Sequence, residues 1–235
     1  MNKKDYYEIE AEEVSIFGHL REVCFADNIL KHISCSAKNI IDVGCGDGYI
    51  LHMLLQSKKH TIKHACGLDF SRKRLEKTKH FVPQVQVIEG TIFGLPFPNN
   101  SFDTVICSET LEHLENYEQA LKELIRITRN ELIITVPNEE RLSTERCPKC
   151  NHHFYVNDHI NSFEANKFKK IIEGQSDSIR VKNIVTFQTI YSYNNFTTRW
   201  PVFFRVMLDR FLVLLSKKIS FFKPNYLLVR IKKMS

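Results

Sequence analysis

The chain has 235 residues, a formal net charge of +6, 43% hydrophobic and 26% charged residues. This suits one decorated globular domain with a sizeable core and excludes disordered, collagenous and disulfide-scaffold classes. Seven cysteines, odd in number and scattered, fit reduced thiols better than a disulfide framework. The opening MNKKDYYEIEAEE carries no apolar signal-peptide core, and no uncharged apolar run of about 18 residues marks a transmembrane helix. A cytoplasmic location is therefore expected. The mild positive charge permits an anionic partner or a membrane surface, although an ordinary solvated basic surface accounts for it.

In chain order, residues 14–33 place Ile16, Leu20, Val23, Ile29 and Ile33 at roughly helical spacing, predicting an N-terminal amphipathic helix. Asn39–Val43 reads as a strand and Tyr49–Ser57 as a helix. Lys63–Leu68 is a second strand, and Ser71 caps a basic helix running through His80. Val85–Glu89 and Phe102–Cys107 read as strands, Tyr117–Arg129 as an amphipathic helix, and Glu131–Val136 as a strand stopped by Pro137. A polar insertion spans 137–165. Phe163–Gly174 follows as a helix, Ile179–Tyr191 as a long strand and Tyr226–Ile231 as a last one. Alternating strands and helices imply right-handed crossovers and a mostly parallel sheet.

The strongest local signal is IIDVGCGDGYI at 40–50, where Gly44, Gly46 and Gly48 turn a strand into a helix. Glycines let backbone approach a ligand, and the following helix N-terminus favours its polar or anionic groups. Tyr49 stands where a dinucleotide fingerprint needs its last glycine, which argues against a nicotinamide cofactor. Asp69, at the end of the second strand, suits ribose hydroxyls, a need common to both cofactor classes. Farther along, Glu109, Glu112 and His113 stand at i, i+3 and i+4, one face of a helical turn. Two carboxylates and an imidazole there can hold a divalent cation that acidifies a hydroxyl. His113 as a general base, or as a structural residue, is the simpler reading.

DVGCGDG, GLDFS, GLPFPNNSFDTVICSETLEHL and IITVPN, in this order, resemble a class I S-adenosylmethionine-dependent methyltransferase. The flavour is similar to the ubiquinone-type and polysaccharide-cluster methyltransferases. The resemblance implies an α/β, Rossmann-like, doubly wound seven-stranded sheet, mostly parallel with an antiparallel last strand. It also implies roles for individual residues. Gly44, Cys45, Gly46 and Gly48 line the methionine and ribose of the cofactor, Asp42 reaches the methionine end, and Asp69 holds the ribose. Phe70 packs on the adenine, while Thr91 and the backbone of Ile92 recognise its edge. Thr91 replaces the acidic residue common in the family. Cys107 and Ser108 lie beside the methionine. The E-x-x-E-H pattern also appears in ubiquinone-biosynthesis O-methyltransferases and in RNA 2′-O-methyltransferases; the latter use a later histidine, a part open here to His159.

CPKCNHHF sets Cys147 and Cys150 in a C-x-x-C knuckle followed by His152, His153 and His159. Two thiolates and two imidazoles satisfy tetrahedral zinc, so a structural zinc on Cys147, Cys150, His159 and either His153 or His152 is expected to order the insertion as a substrate lid. Residues 196–222 carry Phe203, Phe204, Met207, Phe211 and Leu215 at helical spacing with Arg205, Arg210, Lys217 and Lys218. Such a helix suits either a membrane surface or a packed position over the site.

The expected function is methyl transfer to a small-molecule, lipid-linked or sugar-linked acceptor, most simply at oxygen. The rivals are a metal-dependent RNA 2′-O-methyltransferase and a silent binding module on the same fold. Dispersed basic residues argue against a nucleic-acid partner.

Overall fold

The computed structural model describes residues 16–146, 151, 153–187 and 224–234. It opens with helix α1 (Ile16–His32), followed by β1 (Asn39–Val43), α2 (Tyr49–Gln56), β2 (His64–Asp69), α3 (Arg72–Phe81) and β3 (Gln86–Glu89). After a loop come β4 (Phe102–Ser108), a single 3-10 turn (Leu111–His113), α4 (Tyr117–Ile127) and β5 (Thr128–Pro137). The insertion forms a small hairpin of β6 (Thr144–Arg146) and β7 (His153–Tyr155). Helix α5 (Ala165–Glu173), β8 (Ile179–Phe187) and β9 (Tyr226–Lys233) complete the described chain.

The main sheet has seven strands in the order β3-β2-β1-β4-β5-β9-β8. The strands from β3 through β5 pair in parallel, and β9 runs antiparallel to both β5 and β8. The chain winds outward from β1 in one direction and then restarts at β4 on the other side. A crevice therefore opens beyond the carboxyl ends of β1 and β4, where open α/β sheets take ligands.

Alternation along the strands sorts the core onto two faces. Ile41, Val105 and Leu132 pack with Leu121 and Leu124 of α4 and Phe168 of α5, whereas Ile40, Ile106 and Ile133 pack with Phe25, Ile29 and Ile33 of or just after α1. Helix ends follow their capping residues. The Ser71 hydroxyl accepts from Arg74 N, and Asn116 Oδ1 accepts from Gln119 N at 3.1 Å.

At the sheet's opposite end, Glu131 is wholly buried. Its Oε1 accepts from Ser34 N at 2.7 Å and from the Thr104 hydroxyl at 3.0 Å. Its Oε2 accepts from Arg230 at 2.8 and 3.0 Å and meets Lys232 Nζ at 3.2 Å. Burial opposes the charge, but the Ser34 amide, Arg230 and Lys232 outweigh it and hold the carboxyl below its ordinary range.

The elements depart from the expectations in a few places. β5 begins at Thr128 rather than Glu131, because the Thr128 hydroxyl donates back to the Leu124 carbonyl and turns helix into strand with no loop. The Glu109–His113 stretch is not a helical turn: Glu109 has φ of +50°, and only Leu111–His113 coils. The far end of the long strand after Phe187, the first residues of the N-terminal helix and the aromatic, basic 196–222 segment lie outside the described residues.

Candidate active site

The glycine loop is shaped by contacts that leave no room for side chains. Gly44 N and Cys45 N both donate to the Leu68 carbonyl of β2, drawing the loop across the top of that strand. Gly44 has φ of +80°, and a Cβ there would lie 2.3 Å from Thr110 Oγ1. Gly48, at φ of +82°, opens α2, and a Cβ there would meet Thr78 at 2.6 Å. Asp69 holds the loop from the other side: its Oδ2 accepts from Gly46 N and its Oδ1 from Ser71 N, each at 2.9 Å. Burial pushes the Asp69 carboxyl up, opposed by those amides and by Arg74.

A cleft of about 1300 Å³ runs from this loop to the insertion. One half is walled by Gly44, Cys45, Gly46, Asp69, Phe70, Thr91, Ile92 and Ser108. The other half is walled by Glu109, Thr110, Glu112, His113, Asn138, Glu139, Glu140 and His159. The expected cofactor residues are thus largely gathered on one side, with three exceptions. Gly48 serves the turn behind the wall. Asp42 lies wholly buried, and neither carboxylate oxygen has a hydrogen-bond partner among the described residues. Burial and the neighbouring Asp69 push the Asp42 carboxyl up to about 8. Cys107 is buried with Val105 and Leu121 and does not line the cleft, while the next residue, Ser108, does. Burial, first of all, drives both the Cys45 and Cys107 thiols well above the ordinary range, so neither is a ready nucleophile.

At the other end, Glu112 is fully buried on the 3-10 turn, with Oε1 3.9 Å from His113 Nε2. His113 Nδ1 lies 3.0 Å from the Asp158 carbonyl, and its ring meets that of His159 edge to face at 4.8 Å. Ligand atoms of Glu112, His113 and His159 all lie within 4.8 Å of one another. The segment bearing His159 is strapped to the turn. Ile160 N and Asn161 N donate to the Glu112 carbonyl, and Asn161 Nδ2 donates to the Leu114 carbonyl at 2.6 Å. Glu109 does not share the face expected of it; it lines the cleft but takes a hydrogen bond from the Thr135 hydroxyl at 3.4 Å.

Two residues of this end escaped the sequence. Glu140 Oε2 lies 2.5 Å from His159 Nδ1, and Asn161 anchors the strap. Neither belongs to a motif, and only the nearby histidine pointed to this stretch. The zinc-knuckle expectation falls on Cys147, Cys150 and His152, outside the described residues. Of its other histidines, His153 is exposed on β7 and His159 is engaged by Glu140 in the cleft.

The sheet order, the glycine turn and the ribose-type carboxylate define a Rossmann-like protein that binds a nucleoside-containing cofactor at its switch point. A family profile described as a methyltransferase domain matches residues 41–134. A probable S-adenosylmethionine-dependent methyltransferase of Mycolicibacterium smegmatis is 26% identical over 114 residues, 48% of this chain and 43% of that one. The match thus spans less than half the length of that relative. An uncharacterized protein of Methanocaldococcus jannaschii is 30% identical over 187 residues, 79% of this chain and 68% of that one. In fold, the chain is similar to magnesium protoporphyrin IX methyltransferase of Synechocystis with bound S-adenosylhomocysteine. The TM-score is 0.62 at 12% identity, covering 99% of this chain and 95% of that one. The chain belongs to the class I S-adenosylmethionine-dependent methyltransferases.

The residues present fit that cofactor. Gly44, with φ of +80° and Thr110 packed where a Cβ would stand, brings bare backbone to the cleft wall, and Asp69 presents a carboxylate beside it. Phe70 and Ile92 supply apolar surface at the same end for a purine ring.

Proposed function

We propose that the protein transfers a methyl group from S-adenosylmethionine to a hydroxyl oxygen of a small-molecule or lipid- or sugar-linked acceptor. The observation that carries the reading is the single cleft that joins the glycine–Asp69 cradle to the Glu112–His113–His159 cluster. The bound cofactor supplies a methyl group already activated on a sulfonium. The chain's work is then to align the acceptor, exclude water and remove the hydroxyl proton. Gly44, Gly46 and Asp69 would seat the cofactor, Phe70, Thr91 and Ile92 its adenine, and His113 or His159 would take the proton. Glu109, Glu112, Glu139 and Glu140 give the acceptor end a negative lining, which disfavours an RNA phosphate backbone.

A second reading places a divalent cation on Glu112, His113 and His159, favoured by the 4.8 Å convergence of their ligand atoms. There it would lower the pKa of the acceptor hydroxyl in place of a free base.

The test is calorimetric titration with S-adenosylhomocysteine, on the wild type and on Asp69→Ala. Micromolar binding by the wild type, weakened at least about tenfold in the variant, is expected from loss of charge-assisted hydrogen bonds. Folded wild type that binds nothing would reject the enzyme reading in favour of a silent module.

A further inference from the structure

We propose that Glu140 is a positioning residue, whose carboxylate fixes the proton of His159 on Nδ1 and leaves Nε2 as the lone-pair atom offered to the Glu112–His113 cluster. The inference rests on reading that cluster as the acceptor end of the cleft. An ionised carboxylate can only accept, so at 2.5 Å from Glu140 Oε2 the His159 Nδ1 must donate. In the neutral ring the proton is then absent from Nε2. His113 has the same polarity for an independent reason. Its Nδ1 faces the Asp158 carbonyl, which also only accepts, so in the neutral ring its Nε2, 3.9 Å from Glu112 Oε1, carries no proton either.

Two imidazoles set in one tautomer therefore meet a fully buried carboxylate. The notch they form is electron-rich and presents no N–H of its own. That is the state needed to receive a proton from a hydroxyl, or to ligate a cation through both Nε2 atoms. The geometry depends on the backbone on each side. Glu139 has φ of +48° and its N–H donates to the Phe163 carbonyl, which turns Glu140 inward. Asn157 and Asp158, at φ of +57° and +55°, turn the Asp158 carbonyl toward His113. Without Glu140, nothing in the described contacts of His159 would keep its proton off Nε2, and the ring packed against His113 would be free to carry an Nε2–H.

The experiment is long-range ¹H–¹⁵N correlation on protein labelled at the imidazole nitrogens, at a pH where the rings are neutral. Wild type should show a pyrrole-type signal at His159 Nδ1 and a pyridine-type signal at Nε2. Glu140→Gln keeps an oxygen acceptor and should preserve the pattern, whereas Glu140→Ala should reverse or mix it. An Nε2–H ring in the wild type, or an unchanged Nδ1–H ring in Glu140→Ala, would overturn the proposal. Should Glu140→Ala fail to fold, the wild-type and Glu140→Gln spectra still decide. S-adenosylhomocysteine titration run alongside keeps the two readings apart: absence of binding by the wild type rejects methyl transfer, while the tautomer result stands independently.

Discussion

Glu131→Gln isolates one half of a buried ionic staple. The substituted amide keeps Oε1, and with it the Ser34 amide and the Thr104 hydroxyl. On the other side it sets an NH₂ donor against Arg230 and Lys232, which no longer find an acceptor there. Each charge-assisted hydrogen bond lost is worth about 1.5–3 kcal/mol. Arg230 and Lys232 retain 24% and 31% side-chain exposure and can rehydrate, which discounts the sum. A net loss of about 3 kcal/mol remains, at the lower edge of the range for breaking a buried ion pair. At about 2–4 °C per kcal/mol for a domain of this size, the melting temperature should fall by roughly 6–12 °C at neutral pH. The pH dependence supplies a second signature. The folded carboxyl titrates below its unfolded value of about 4.3, so its stabilisation is complete above that pH and is lost as pH falls through the folded value. The gap between wild type and variant should therefore close in acid. Thermal melts across pH read both effects; a shift under about 2 °C at neutral pH, or a gap that does not narrow in acid, would refute the reasoning.

Asp42 predicts the opposite slope. Its carboxyl titrates at about 8 in the folded chain, against about 3.9 when unfolded, so the native state holds a proton that the unfolded state releases. Stability should decline as pH rises between those values, and Asp42→Asn should flatten that decline in melts across the same range; an unchanged slope would show that Asp42 is not its source. For the cation reading, cobalt(II) titration should give visible ligand-field bands that chelator removes and that His113→Ala and His159→Ala each abolish. Failure to develop bands in protein that binds S-adenosylhomocysteine normally would leave the cluster to act as a proton acceptor.

Much of the fold was legible because period and punctuation agreed. Ile40 and Ile41, Val105 and Ile106, and Leu132 and Ile133 alternate between faces, and Ser71 marks a helix start. The glycine loop was legible because Gly44 and Gly48 take conformations that side chains would strain. The acceptor end was harder to read. Spacing suggested a helical face for Glu109, but its left-handed backbone takes it out of register with Glu112, a conformation that only the surrounding contacts can impose. Cys107 and Ser108 were both expected at the cofactor, yet Cys107 is wholly buried in the core and only Ser108 lines the cleft. Glu140 gains its role wholly from His159, 19 residues later, a partnership that local pattern does not encode.

The clasp at the root of the insertion has a consequence for how such a protein can diversify. Asn138 bridges to Phe163, Glu139 N reaches the Phe163 carbonyl, and Ile160 and Asn161 are tied to the Glu112 turn. These ties lie outside the β6–β7 hairpin, so His159 is held from its own side of the loop. The hairpin between them can be lengthened, shortened or replaced with little effect on the chemical end of the cleft. A lineage could exchange acceptors by rewriting that excursion while the proton-handling groups stay where they are.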